Sequence, residues 1–439
     1  MATSYLPYNP AQSLLLPPSP EEWLPEGHLA YFISDTVDAL DLSAFHARYA
    51  NGGPRNQPFH PAMMVKVLLY GYATGTFSSR KLARKLHEDV ALRVLAAGNF
   101  PAHRTLCDFR ANHLEELSQL FVQVVRLAQE CGLVKLGTVA IDGTKVKANA
   151  SRHKAMSYQR MRETEQLLRA QIDELMARAQ TADAAERNEP ELDIPEEIAR
   201  REKRLATITA AKARLEQRQR EADREKGRSD DDDRRPRKPD GTPKGGPRYK
   251  RDFGVPEDKA QENFTDPDSR IMKHGNGAFE QSYNGQTAVD AEHGIIVAAE
   301  LTMCASDAHQ LSPMLDALEH NCGTVPEQTL ADTGYRGEAV FEALADRGTD
   351  LIVSLGREGR DIAKIDATSK PRTAAMAERL QSVEGKTAYR RRKHIVEPPN
   401  GWIKSVLGFR QFSLRGVEKV RAEWKLVTTA LNLRRMAYL

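Results

Sequence analysis

A charged stretch spans residues 152–268, set between two short apolar segments that each end in an aspartate. Such a stretch cannot build the main core, because too few apolar side chains are available to offset the entropy of ordering it. The core must therefore assemble from the segments on either side. Its first part carries Leu167, Leu168, Ile172, Leu175 and Met176, then Ile198, Leu205, Ile208 and Leu215. This helical spacing predicts two antiparallel helices joined near residues 188–195. Its second part, residues 228–258, holds four consecutive aspartates from Asp230 and a basic run from Arg234, and is expected to lack fixed structure.

Before the stretch, the pattern is helical. Pro61 suits a first helical turn, and the apolar residues at 61–70 recur at helical spacing. Ser78 and Ser79 are N-cap candidates for a helix over 80–87 that carries Arg80, Lys81, Arg84 and Lys85. A short helix follows at 89–97, then one helix running from His103 to Cys131, with Gly132 placed to end it. Residues 1–135 thus read as an all-α N-terminal domain with basic helix ends.

At 139–141, Val-Ala-Ile is a strand signal ending at Asp142-Gly143. Beyond the insertion, residues 283–290 and 294–301 read as a hairpin. Then come a helix at 308–320, a strand at 328–332 ending in Asp332, a helix at 339–347 and a strand at 350–355. After a basic irregular stretch, helices run from about Glu397 to Tyr438. With the insertion (152–268) removed, residues 136–151 and 269–439 form one α/β unit. Its element order is that of an RNase H-like mixed sheet with flanking helices.

Two aspartates at neighbouring strand ends can meet at one sheet edge. Hard Mg²⁺ prefers such carboxylate oxygens and keeps several waters. Two ions about 3.5–4 Å apart can serve both the attacking and the leaving oxygen of phosphoryl transfer. Glu397, on the terminal helical segment, is the third candidate, and Asp290 is its main rival; Asp307 and Glu300 are spare carboxylates near strands. The run from Tyr389 to His394 is strongly basic, which suits a phosphate groove. Lys404 lies about two helical turns beyond Glu397, so it can share that face.

These residues carry a resemblance. Ile141-Asp142-Gly143-Thr144, Ala331-Asp332-Thr333-Gly334-Tyr335 and Val396-Glu397-Pro398 with Gly401, Ile403 and Lys404 resemble the three acidic motifs of DDE transposases of bacterial insertion sequences. Phe59-His60-Pro61 and the segment from His103-Arg104-Thr105 to Phe109-Arg110 are similar to that family's N-terminal domain. The resemblance implies metal-dependent DNA cleavage and strand transfer, with Asp142, Asp332 and Glu397 as catalytic metal ligands. It implies two Mg²⁺ ions, with Mn²⁺ as the substitute. It also implies phosphate contacts by Tyr389, Arg392, Lys393 and Lys404, with Arg80, Lys81 and Arg84 reaching DNA. Tyr389 and Arg392 sit one place further from the glutamate than in the best-known signature; Lys393 holds the strict arginine position. The implied partners are double-stranded DNA, as transposon ends and target, and further copies of the chain. Alternatives are a nuclease of the same fold that cuts without joining, and an inactive DNA-binding or scaffold protein.

Net charge is only +3, so the distribution of charge carries the DNA argument rather than its total. No apolar run approaches the roughly 20 residues of a membrane span. The first 20 residues do not read as a secretion signal. The four cysteines show no paired metal-ligand spacing. A cytoplasmic, nucleoid-associated bacterial protein is the expectation.

Overall fold

The computed structural model describes residues 19, 22–49, 57–184, 194–230, 233–237, 242–243, 245–356 and 365–439. The described residues ahead of the first strand fold into helices α1 (Leu29–Ala39), α2 (Ser43–Ala47), α3 (Pro61–Ala73), α4 (Ser79–Glu88), α5 (Val90–Leu95), α6 (His103–Asn112) and α7 (Leu114–Glu130). Local chemistry sets several ends. Pro61 occupies the first turn of α3. The Ser78 side chain accepts from the Lys81 backbone N–H at the start of α4, and Asp89 Oδ1 accepts from Leu92 N at 3.2 Å to start α5.

The single helix expected from His103 to Cys131 is instead two, broken at His113. That residue leaves helical geometry, with φ −119° and ψ 44°. Its buried ring packs 4.5 Å from Phe109 and 5.1 Å from Phe45. Apolar periodicity is similar on both sides of the break, so the pattern alone hides it.

After β1 (Thr138–Lys147) comes a short strand, β2 (Ala155–Ser157), and then the insertion helices α8 (Tyr158–Ala184) and α9 (Ile194–Glu225). They form the expected hairpin around Tyr158, Met161, Leu168, Ile208, Ala211 and Leu215, a cluster separate from the main core. Strand β3 (Gln261–Asn263) pairs with β2. Arg214 and Arg218 on α9 clamp the buried Glu262 carboxylate at 2.6 and 2.7 Å.

The stretch expected to lack structure is partly packed. Buried Arg228 pairs with Asp223 at 3.3 Å and lies over the Tyr249 ring. Gly254 N donates to the same carboxylate. Charge pairing, rather than apolar burial, anchors this segment, which explains why composition gave no sign of it. Residues 231–232, 238–241 and 244 of that stretch lie outside the described residues.

The remaining elements are β4 (Arg270–Lys273), β5 (Phe279–Asp290), β6 (Ile296–Thr302), α10 (Leu311–Cys322), β7 (Gln328–Ala331), α11 (Glu338–Ala343), β8 (Asp350–Val353), α12 (Pro371–Gln381), α13 (Val383–Gly401) and α14 (Val417–Met436). The sheet runs β4-β5-β1-β7-β8, with β6 also paired to β5. β1, β7 and β8 are parallel; β5 is antiparallel to β1, β4 and β6. It is thus the mixed sheet with many helices that the element order implied.

One apolar core joins the N-terminal helices to this sheet through α14. Trp424 of α14 lies flat against Gly285 of β5, where a Cβ would come within 2.8 Å of the indole. Below it, Asn432 both donates to and accepts from the Ile296 backbone. Arg110 of α6 donates to Tyr72 at 2.6 Å, Tyr72 donates to Glu423 at 3.1 Å, and Glu423 accepts from the Ser413 and Leu414 amides. This buried network pins α3, α6 and α14 together. Among the described residues no helix is long and apolar enough to cross a membrane.

Candidate active site

The parallel pairing of β1 with β7 aligns Ile141 with Ala331, so the next residues, Asp142 and Asp332, are neighbours. β7 ends there, and Asp332 Oδ1 accepts from Gly334 N at 2.7 Å to open a tight turn over 333–335. β1, however, does not end at Asp142 as expected. It continues to Lys147, because residues 143–147 pair with Gln286 through Ser282 of β5. A glycine after an aspartate resembles a turn signal, but here Gly143 is a mid-strand residue.

The reason for Gly143 is a third carboxylate. A Cβ at this position would collide with Asp307 Oδ1 and lie 2.6 Å from Gln286 Nε2. Asp307 sits in the loop after β6 and accepts from Asn284 Nδ2 and Gln286 Nε2, both at 2.7 Å. Gly334 is held in the same way: a Cβ there would lie 2.9 Å from Asp332 Oδ1 and 3.1 Å from Asp307 Oδ2. Beneath them, the buried Tyr335 hydroxyl donates to Gln286 Oε1.

Three acids therefore crowd one spot. Burial pushes the Asp142 carboxyl up to about 6; Asp332 and Asp307 push it the same way, against Arg392 and the Gly143 amide. Burial likewise raises the Tyr335 phenol well above its ordinary value, with Asp307, Asp142 and Asp332 adding to it. Asp307 follows no apolar strand pattern in the sequence; only the glycines that make room for it hint at its place.

Helix α13 covers this edge. Arg392, Ile395, Val396, Pro399 and Asn400 are its buried face. Arg392 Nη1 lies 3.9 Å from Asp142 Oδ1. Asn400 Oδ1 is 3.4 Å from the hydroxyl of Thr287, the cross-strand partner of Asp142. Glu397 is exposed, on a different side of the helix from Arg392 and Val396. The expectation that a helix starts at about Glu397 also needs correction. α13 begins at Val383, and Pro398 and Pro399 lie within its last turn. Their missing N–H groups are followed by a wider π-type turn over Trp402–Val406.

Lys404 is on that wide turn, half-buried. Burial lowers its pKa, while Asp142 raises it and Lys145 lowers it further. Tyr389 stacks beside Arg392, with the guanidinium 5.9 Å from the ring centre. Lys393 is exposed, as are Arg80, Lys81 and Arg84 on the outer face of α4. Among the described residues no group of three or more His, Cys, Asp or Glu side chains forms a ready-made metal shell. Asp142 and Asp332 are the carboxylates that the sheet brings together, with Asp307 beside them. The rival Asp290 is structural: its buried carboxylate accepts from the Leu136, Glu292 and Lys135 amides at 2.9, 3.0 and 3.3 Å. Glu300 is paired with Lys425 at 3.1 Å.

Comparison with known families places these features. The family described as Transposase DDE domain matches residues 240–433, which include Asp332 and Glu397. The family described as Transposase domain (DUF772) matches residues 18–112. A search of curated proteins and a search of solved structures each returned no match. With a transposase domain matched before the first strand and a DDE domain matched over Asp307, Asp332 and Glu397, the two matches together support a DDE transposase of insertion-sequence type.

Proposed function

We propose that this transposase cuts DNA at the ends of an insertion sequence and joins the freed ends to a target, using divalent metal held first by Asp142 and Asp332. The observation that carries the reading is the register that sets these two carboxylates side by side. The strand order with β1, β7 and β8 parallel and β5 antiparallel supports an RNase H-like catalytic unit.

The donor set suits Mg²⁺ or Mn²⁺. It offers hard oxygens only, and Mg²⁺ is usually held by one or two carboxylates with waters and substrate phosphates completing its shell. Burial is the main cause that lifts Asp142, and Asp332 and Asp307 add to it; a bound cation would favour the ionised carboxylate against both. A bound ion supplies electrostatic stabilisation of the attacking and leaving oxygens. Glu397 is the third ligand implied by resemblance; Asp307 is the carboxylate already beside the two aspartates. Lys404 holds a phosphate next to Asp142, as does the outer surface of α13 through Tyr389 and Lys393. Residues 1–135, with Arg80, Lys81 and Arg84 exposed, bind double-stranded DNA away from the cut.

In the first step water attacks phosphorus, the P–O3′ bond breaks, and a 3′-hydroxyl and a 5′-phosphate result. In the second step that 3′-hydroxyl loses its proton, attacks a target phosphodiester and displaces its 3′-oxygen. Synapsis of two ends calls for at least two copies of the chain.

The test is cleavage and joining of DNA carrying the element's ends, in Mg²⁺, by wild type and by Asp142→Ala, Asp332→Ala, Glu397→Ala and Asp307→Ala. Loss of both products in the first three is expected. Full activity in any of them removes that residue from the mechanism. Nicked DNA with no joined product supports the nuclease reading instead.

A further inference from the structure

The basic run on α13 does not point one way. Arg390, Arg391, Lys393 and His394 are exposed, whereas Arg392 is turned inward and only 7% exposed. Among the described residues its Nε and Nη1 have no hydrogen-bond partner. Nη1 stops 3.9 Å from Asp142 Oδ1, an ion-pair distance rather than a hydrogen bond. Two turns along the same face, Asn400 Nδ2 is also buried without a partner among the described residues. Burying a cation this way is costly unless a field of opposite sign holds it. Asp142 is the carboxylate that faces it, and Asp332 and Asp307 act on Asp142 from beside it.

We propose that Arg392 is a positioning residue, the resident counter-cation of the aspartate cluster, and not a contact to DNA. It holds the carboxylates together against their mutual repulsion while no metal is bound. When a divalent ion enters, the ion takes over that neutralising role, and the guanidinium opposes its entry. Arg392 therefore orders the metal-free site and weakens its metal affinity. This inference rests on the proposed metal-binding role of Asp142 and Asp332.

The test titrates Mn²⁺ alone into the metal-free, full-length protein by calorimetry. Wild type, R392Q, R392K and D142N are compared, with melting curves and metal-free DNA binding measured alongside. R392Q is expected to bind Mn²⁺ at least about fivefold more tightly, the order expected when one unit charge is removed from beside a divalent ion at water-like screening. R392K, which keeps the charge, should stay within about twofold of wild type, as should the DNA affinity of R392Q. Equal or weaker Mn²⁺ binding by a normally melting R392Q overturns the proposal. So does a loss of DNA affinity with metal affinity unchanged, which would make Arg392 a phosphate contact. If R392Q melts early, R392M, which keeps the apolar stem, is judged by the same outcomes. If wild type binds no Mn²⁺, or D142N binds it as wild type does, the reading of the carboxylates fails and takes this inference with it. If wild type binds and D142N does not, the R392Q result judges the inference alone.

Discussion

Asp142→Asn should make the metal-free protein more stable while it abolishes catalysis. The carboxyl ionises near 3.8 in the unfolded chain but near 6 in the folded one, chiefly because it is buried. Between those values the unfolded chain gives up its proton first, so rising pH favours unfolding. The stability associated with this group is therefore full below about 3.8 and is lost as pH passes through about 6. A gap of about two pH units corresponds to roughly 3 kcal/mol as an upper bound. The side chain keeps 24% of its exposure, and solvent relaxation reduces the figure to about 1–2 kcal/mol. The Arg392 attraction is already inside the net shift. Asparagine keeps the Oδ1 that accepts from Gly143 N at 3.0 Å, so the local backbone has no reason to move. Urea denaturation in EDTA at pH 4 and pH 8 measures the difference. The variant should be about 1–2 kcal/mol more stable at pH 8 and level with wild type at pH 4. Adding Mg²⁺ should stabilise wild type alone and close the gap. A variant less stable than wild type at pH 8 would refute the view that Asp142 is held ionised against its surroundings.

Other sites give separate tests. Gly143→Ala should fold but lose DNA cleavage, because the new Cβ displaces Asp307 and Gln286 from the cluster; circular dichroism and a nicking assay together check this. Glu423→Ala should cost about 3–5 kcal/mol in denaturation, since it leaves buried Arg110 without its carboxylate 3.9 Å away. Lys404→Ala should weaken DNA binding and reduce the slope of log affinity against log salt by about 0.9, the value of one lost phosphate contact.

Much of the fold follows from local pattern. The strand signals at β1, β5, β6, β7 and β8, the Ser78 and Asp89 caps and the hairpin of α8 and α9 all arise from short-range periodicity and side-chain chemistry. β2, β3 and β4 are three or four residues long and leave too little pattern to read. The irregular basic stretch before Glu397 is α12 and α13, because a helix whose charged positions face outward shows few apolar residues at regular spacing.

The sequence sets which acidic motifs are present and the order in which they follow one another. It placed Asp142 and Asp332 after apolar strands, and parallel pairing then makes them neighbours. It could not place Asp307, Arg392 or Glu397. Asp307 reaches the site through a loop and is held by Asn284 and Gln286, contacts more than 20 residues apart in the chain. The inward turn of Arg392 and the outward turn of Glu397 depend on the rotation of α13 against the sheet. That rotation is fixed by which helix face packs on β1 and β5, and no residue of the helix specifies it alone. The charge run was legible; which of its members meets the carboxylates was decided by tertiary packing.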